Sequence, residues 1–136
     1  MKKVLFFVFF LLGSVGLMGQ EGSVVNVLKK KPVEAFENIK IEKLYSDERA
    51  TSFLIWVKKG VEEHYHSLHT EQLYVLSGKG KMTIKGEVIV IKKGDFIVIP
   101  KGTNHSVKVV GRKPLKVLSI QAPEFKGKDR IFTAPN

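Results

Sequence analysis

The sequence predicts an all-β domain folded as a jelly-roll β-barrel. Three observations carry this. From Ile39 onward, apolar and polar residues alternate with a period of two. The alternating segments are short, rich in Val, Ile, Leu and Phe, and mostly spaced by roughly 8–12 residues, the pattern of a sandwich or barrel. No long segment with a 3.6-residue period occurs. At 136 residues the chain has room for one domain. A sheet this small must close or pack on a second sheet, because open edges invite aggregation. A roll of about eight strands meets that need.

The elements follow in order. Residues 20–38 form an N-terminal arm. Its first part, Gln20 to about Lys31, has room for one edge strand, Pro32 breaks the chain direction, and Val33–Asn38 suggests a short helical turn. The barrel occupies 39–121, with expected strands at Ile39–Tyr45, Ser52–Lys58, Gln72–Leu76, Lys81–Lys85, Val88–Lys92, Asp95–Ile99, Ser106–Val110 and Leu115–Gln121. Gly78-Lys79-Gly80, Lys85-Gly86, Lys93-Gly94-Asp95 and Pro100-Lys101-Gly102 are the turns between them. Residues 122–136 are expected to be a surface extension.

The first nineteen residues stand apart from this pattern. Met1-Lys2-Lys3 is basic, Val4–Leu12 is an unbroken apolar run, and Gly13, Ser14, Gly16 and Gly19 are small. This is the layout of a secretory signal peptide, with Gly19–Gln20 as the preferred cut and Gly16–Leu17 as the rival. The uncharged stretch, Val4–Gly19, is 16 residues; a membrane-spanning helix needs about 20. The expectation is a secreted or periplasmic protein with no stable membrane insertion once the signal is removed. A retained short anchor is the alternative.

Composition removes several chemistries. With no cysteine, disulfides, thiolate zinc sites, iron–sulfur clusters and cysteine nucleophiles are excluded, leaving His, Asp and Glu as the strong metal ligands. The formal charge is +10, and loss of Lys2 and Lys3 leaves +8. Only Arg49, Arg112 and Arg130 are arginines, and the lysines are scattered. Base-reading proteins favour arginine for bidentate contacts, so no nucleic-acid partner is expected. The bland reading of the lysines is a solvated surface; the sharper one is attraction to an anionic ligand or an anionic cell surface.

Four histidines remain. His64 and His66 lie two apart, so on an extended strand both rings point to one face. Glu71 follows across a small loop, and His105 comes just after Pro100-Lys101-Gly102. Singly, each has an ordinary reading: a surface histidine pair, a solvated carboxylate, a turn. Converging in a barrel, three imidazoles and a carboxylate would bind one divalent transition metal ion, with Mn, Fe, Co, Ni, Cu and Zn all suited to imidazole. His69, in the loop before Glu71, is expected to be a rim histidine or an accessory group.

The spacing of these residues strongly resembles the cupin superfamily. The family's second motif is Gly, five residues, Pro-x-Gly, two residues, His, three residues, Asn. Here Gly94, Pro100-Lys101-Gly102 and His105 match, with Val109 in place of the Asn. The first motif matches from His64 and His66 through Glu71 to Gly78, but only three residues lie between Gly60 and His64, where the family has five. The resemblance covers 60–109. It implies the cupin double-stranded β-helix and a metal held by His64, His66, Glu71 and His105. A cupin with a vestigial site is the competing reading.

Strand parity places Leu73 and Val75 with Glu71, and Val107 and Val109 with His105, so these four are expected to form an apolar substrate-binding wall. Tyr74 and Leu76 face outward, towards a second layer or the subunit interface of a homodimer. Trp56 is expected in packing. The expected ligand is a small, partly apolar molecule with an oxygen donor, anionic members being favoured by charge. Two function classes stand: a metal-dependent oxygenase, isomerase or lyase, and a binding or sensing module without turnover. The fold hosts both. No residue is assigned as catalytic.

Overall fold

The computed structural model describes residues 22–133. The expected signal segment and its cleavage site lie outside these residues. Ten strands form: β1 (Ile39–Ser46), β2 (Thr51–Val57), β3 (Gly60–Tyr65), β4 (Thr70–Ser77), β5 (Lys79–Ile84), β6 (Glu87–Lys92), β7 (Phe96–Ile99), β8 (His105–Val109), β9 (Leu115–Ala122) and β10 (Ile131–Phe132). They build two five-stranded antiparallel sheets, in the orders β1-β2-β9-β4-β7 and β10-β3-β8-β5-β6. The two sheets face each other as a jelly roll.

The inner faces follow the two-residue period. Phe53, Ile55 and Val57 of β2, Leu73 and Val75 of β4, and Leu115 and Val117 of β9 meet Met82, Ile91 and Val107 from the opposite sheet in one core. Each such side chain contributes about 1.5–3 kcal/mol on full burial. The alternate residues of the first sheet make a second cluster: Leu54, Trp56 and Leu76 pack under Val27 and Phe36 of the arm. Trp56 is therefore a packing residue, and Leu76 faces outward into a layer that the arm supplies. Tyr74 faces outward too and remains exposed.

Four local expectations differ. Residues 33–38 form bends rather than a helical turn, and no strand forms in residues 22–31. The arm is instead held by Lys116, whose ammonium donates to the carbonyls of Leu28 and Lys30 at 3.2 and 2.6 Å. β3 was not among the eight expected strands, because Gly60-Val61-Glu62-Glu63 hides its alternation behind consecutive acids. The C-terminal segment is more than a surface extension. Its β10 pairs with β3, setting Phe132 opposite His64 and Ile131 opposite Tyr65.

Gly80 differs in its reason. It has no positive φ; a Cβ there would lie 2.9 Å from Val107 Cγ2 and 3.2 Å from the Lys108 carbonyl oxygen. Close strand approach, rather than turn geometry, requires the glycine.

Candidate metal centre

The site lies where the inward stripes change from apolar to polar. On β9 the inward residues run Leu115, Val117, Ser119, Gln121; on β4 they run Val75, Leu73, Glu71. The register sets Glu71 beside Gln121 and Leu73 beside Ser119. β3 and β8 bring His64 opposite His105. His66 lies one residue past the end of β3, where its carbonyl accepts a 2.6 Å hydrogen bond from the amide of Gly102. The Pro-x-Gly turn thereby joins the two histidine segments.

His64, His66 and His105 are all buried, and one nitrogen of each lies within 4.8 Å of the others. Their Nδ1 atoms are occupied: His64 donates to the Glu62 carbonyl at 2.8 Å, His66 to that of Asp129 at 2.5 Å, and His105 to that of Thr103 at 2.9 Å. A carbonyl only accepts, so each ring carries its proton on Nδ1 and presents the Nε2 lone pair, the tautomer that metal-binding histidines use. The Nε2 atoms of His66 and His105 are buried without a hydrogen-bond partner. Such orphaned acceptors are costly unless something occupies them. The donor set fits a transition metal ion, which His64, His66 and His105 could hold.

Glu71 stands against this group. Its Oε1 accepts from the Ser119 hydroxyl at 2.5 Å and the Gln121 amide at 3.1 Å. Its Oε2 lies 3.6 Å from His66 Nε2 and 3.4 Å from His105 Nε2. Burial alone would raise its pKa, but the facing His105 and His66 rings, in their protonated form, and the Ser119 hydroxyl hold the carboxyl well below the usual range. His64 shifts down to about 4, chiefly because burial disfavours its charged form. For His66, burial pushes the same way, yet Glu71 and the Asp129 carbonyl outweigh it and raise the pKa.

The Cupin domain family model matches residues 53–121, a span that includes the whole histidine and carboxylate group. The chain is a cupin. It is 32% identical over 107 residues to an uncharacterized protein of Aquifex aeolicus, covering 79% of this chain and 88% of that one. It is 35% identical over 82 residues to a mannose-1-phosphate guanylyltransferase of Klebsiella pneumoniae, covering 57% of this chain but only 17% of the relative. Among solved structures, a Klebsiella pneumoniae protein with a double-stranded β-helix domain superposes with a TM-score of 0.70 at 18% identity, covering 83% of this chain and all of that one.

The cavity of this cupin runs from His64, Glu71 and His105 down to an apolar wall of Ile55, Leu73, Met82, Val107 and Val117. Leu73 and Val107 stand where parity placed them. Val75 and Val109 do not line it: Val75 is fully buried in the core beneath, and Val109 packs against that core. The inward face is longer than the cavity, so parity alone could not say where the cavity stops. Met82 of β5 lines it instead.

His69 is not at the rim. It is 3% exposed; its Nε2 donates to the Glu124 carbonyl at 2.9 Å and its Nδ1 meets the Asp129 carboxylate. Neither nitrogen is free to face the other three rings. Asp129 also accepts from the Ser67 amide and hydroxyl at 2.9 and 2.6 Å, the Leu68 amide at 2.8 Å and the His69 amide at 3.1 Å. Burial would raise its pKa, but these donors hold it well below the usual carboxylate range. Asp129, Ser119 and Gln121 went unrecognised as site residues in the sequence. The last two were legible, since they share parity with Leu115 and Val117; Asp129 was not, being a lone acid in a segment without periodicity.

Proposed function

We propose that this cupin is an exported, metal-dependent enzyme acting on a small, partly apolar molecule with an oxygen donor, anionic members being preferred. One divalent transition metal ion would be held by His64, His66 and His105, with Glu71 as the fourth ligand through Oε2. The observation that carries this reading is the set of buried imidazoles whose Nδ1 protons are all directed to carbonyls, leaving two Nε2 atoms without partners. A bound ion would supply Lewis acidity towards a substrate oxygen. The protein's own part is orientation and exclusion. Ser119 and Gln121 fix the Glu71 carboxylate, β10 covers His64, and the wall from Leu73 to Val107 keeps water from the apolar part of the ligand.

Export rests on the basic, apolar and small-residue sequence of Met1–Gly19. The guanylyltransferase relative does not transfer its activity, because this chain matches less than a fifth of its length.

A second reading, a metal-holding binding module without turnover, is favoured by one observation. Among the described residues, Arg130 is the one titratable group lining the cavity apart from His64, Glu71 and His105, so none of them offers a separate acid or base there. Thermal shift with and without metal, against small carboxylates, phenols and neutral sugars, tests the ligand class. Metal-dependent stabilisation by carboxylates or phenols supports the proposal; stabilisation by neutral sugars alone refutes it. Turnover of a stabilising ligand separates the enzyme from the binding module.

A further inference from the structure

Arg130 enters the metal-centre cavity from the C-terminal segment, between Asp129 and β10, and lines it together with His64, Glu71 and His105. Its Nε is buried and has no hydrogen-bond partner. Among the described residues it forms no ion pair. The carboxylate that shares the cavity and the one on the preceding residue are committed elsewhere. The Glu71 carboxylate is taken by Ser119 and Gln121 and faces His66 and His105. The Asp129 carboxylate is spent on the Ser67–His69 loop. A buried N–H donor with no acceptor is costly, and Arg130 lines a cavity whose remaining wall, Ser106 apart, is apolar.

We propose that Arg130 is the anion anchor of this cavity, taking the carboxylate of a small organic acid whose apolar part lies against Leu73, Met82 and Val107. The planar guanidinium suits a carboxylate or a phosphate ester, because it can offer two parallel N–H donors. It deepens the proposed function, on which it rests for the direction of the substrate towards the histidines. It does not need the metal for the anion contact itself. The assignment also gives the C-terminal segment a role in recognition: Asp129 closes the ligand loop, Arg130 reads the anion, and Phe132 lies opposite His64.

The test uses acetate, isobutyrate and benzoate, each against its neutral amide, with methyl phosphate as a separate arm. Binding is measured by calorimetry or NMR titration on metal-free and zinc-loaded protein. Wild type should bind at least one carboxylate tenfold or more tightly than the matching amide. Arg130→Gln should lose that preference while keeping amide binding and metal content, and Arg130→Lys should retain part of it. Methyl phosphate binding tighter than every carboxylate, and lost in Arg130→Gln, would overturn the carboxylate assignment in favour of a phosphate ester. If wild type prefers neither anion, or Arg130→Gln keeps the preference, the anchor is refuted. Should Arg130→Gln fold poorly, Arg130→Lys and the wild-type carboxylate-to-amide ratio decide. A wild-type protein that binds no metal yet shows Arg130-dependent carboxylate binding would refute the metal-dependent function and leave the anchor standing.

Discussion

The backbone carbonyl of Asp129 accepts a 2.5 Å hydrogen bond from His66 Nδ1, across 63 positions of sequence. The same residue's carboxylate binds the amides of Ser67, Leu68 and His69. One residue of the C-terminal segment thus fixes both the tautomer of a candidate ligand and the loop that follows it.

Asp129→Ala should therefore act twice. Removing a buried, multiply bonded carboxylate leaves three amides and His69 without their acceptor, a loss of about 3 kcal/mol. Metal affinity should fall as well, because the Ser67–His69 loop no longer fixes the approach of His66. Chemical denaturation and metal titration check the two effects. Unchanged stability would remove Asp129 from this role.

The Asp129 carboxyl also sets a pH dependence. Its folded pKa lies below the ordinary carboxylate value. The unfolded chain therefore binds the proton first as pH falls, so this stabilisation is complete above the unfolded carboxylate pKa and drains away below it. The melting temperature of metal-free wild type should drop through the acid range below about pH 4. Asp129→Asn should show a shallower drop.

Metal binding should weaken on acidification from a higher pH. His66 is shifted above the ordinary imidazole value and His64 is shifted down to about 4. As pH falls, the proton competes with the metal first at His66, since only neutral imidazole coordinates. Calorimetric affinities at pH 8 and pH 5.5 should differ by about tenfold or more, because displacing one proton lowers the affinity about tenfold for each pH unit below the ligand's pKa. Equal affinities would contradict the ligand role of His66.

Two turn glycines give a packing test. Gly78 and Gly86 share φ +84°, but a Cβ at Gly78 would lie 2.5 Å from the Pro114 carbonyl oxygen, whereas Gly86 has nothing within 4 Å. Gly86→Ala should cost about 1 kcal/mol from backbone strain alone. Gly78→Ala should cost clearly more, read by denaturant midpoints. Equal costs would refute the close approach of the β4–β5 connection to the start of β9.

The barrel was legible because alternation and turn residues agree: all eight expected strands form, within a few residues at their ends. The histidines and Glu71 were legible because two-residue spacing on a strand and a Pro-x-Gly turn constrain where side chains go. What was hidden depends on long-range pairing. β3 carries Glu62-Glu63 on a half-exposed stretch, which masks its period. β10 is two residues long, and Asp129 is buried only because the chain folds back over the Ser67–His69 loop. His69 looked like a loop histidine for the same reason, since its partner is sixty residues away. The cavity wall needed depth as well as parity, which is why Val75 and Val109 fall outside it and Met82 falls within.

The most direct measurement is metal content per chain, by elemental analysis, of wild type and of the His64→Ala, His66→Ala, His105→Ala and His69→Ala variants, purified identically and checked for folding. The account predicts one divalent transition metal ion per chain in wild type, a loss of most of it in each of the first three, and near-full occupancy in His69→Ala. Full occupancy in a His64→Ala/His66→Ala double variant, or loss confined to His69→Ala, would contradict it.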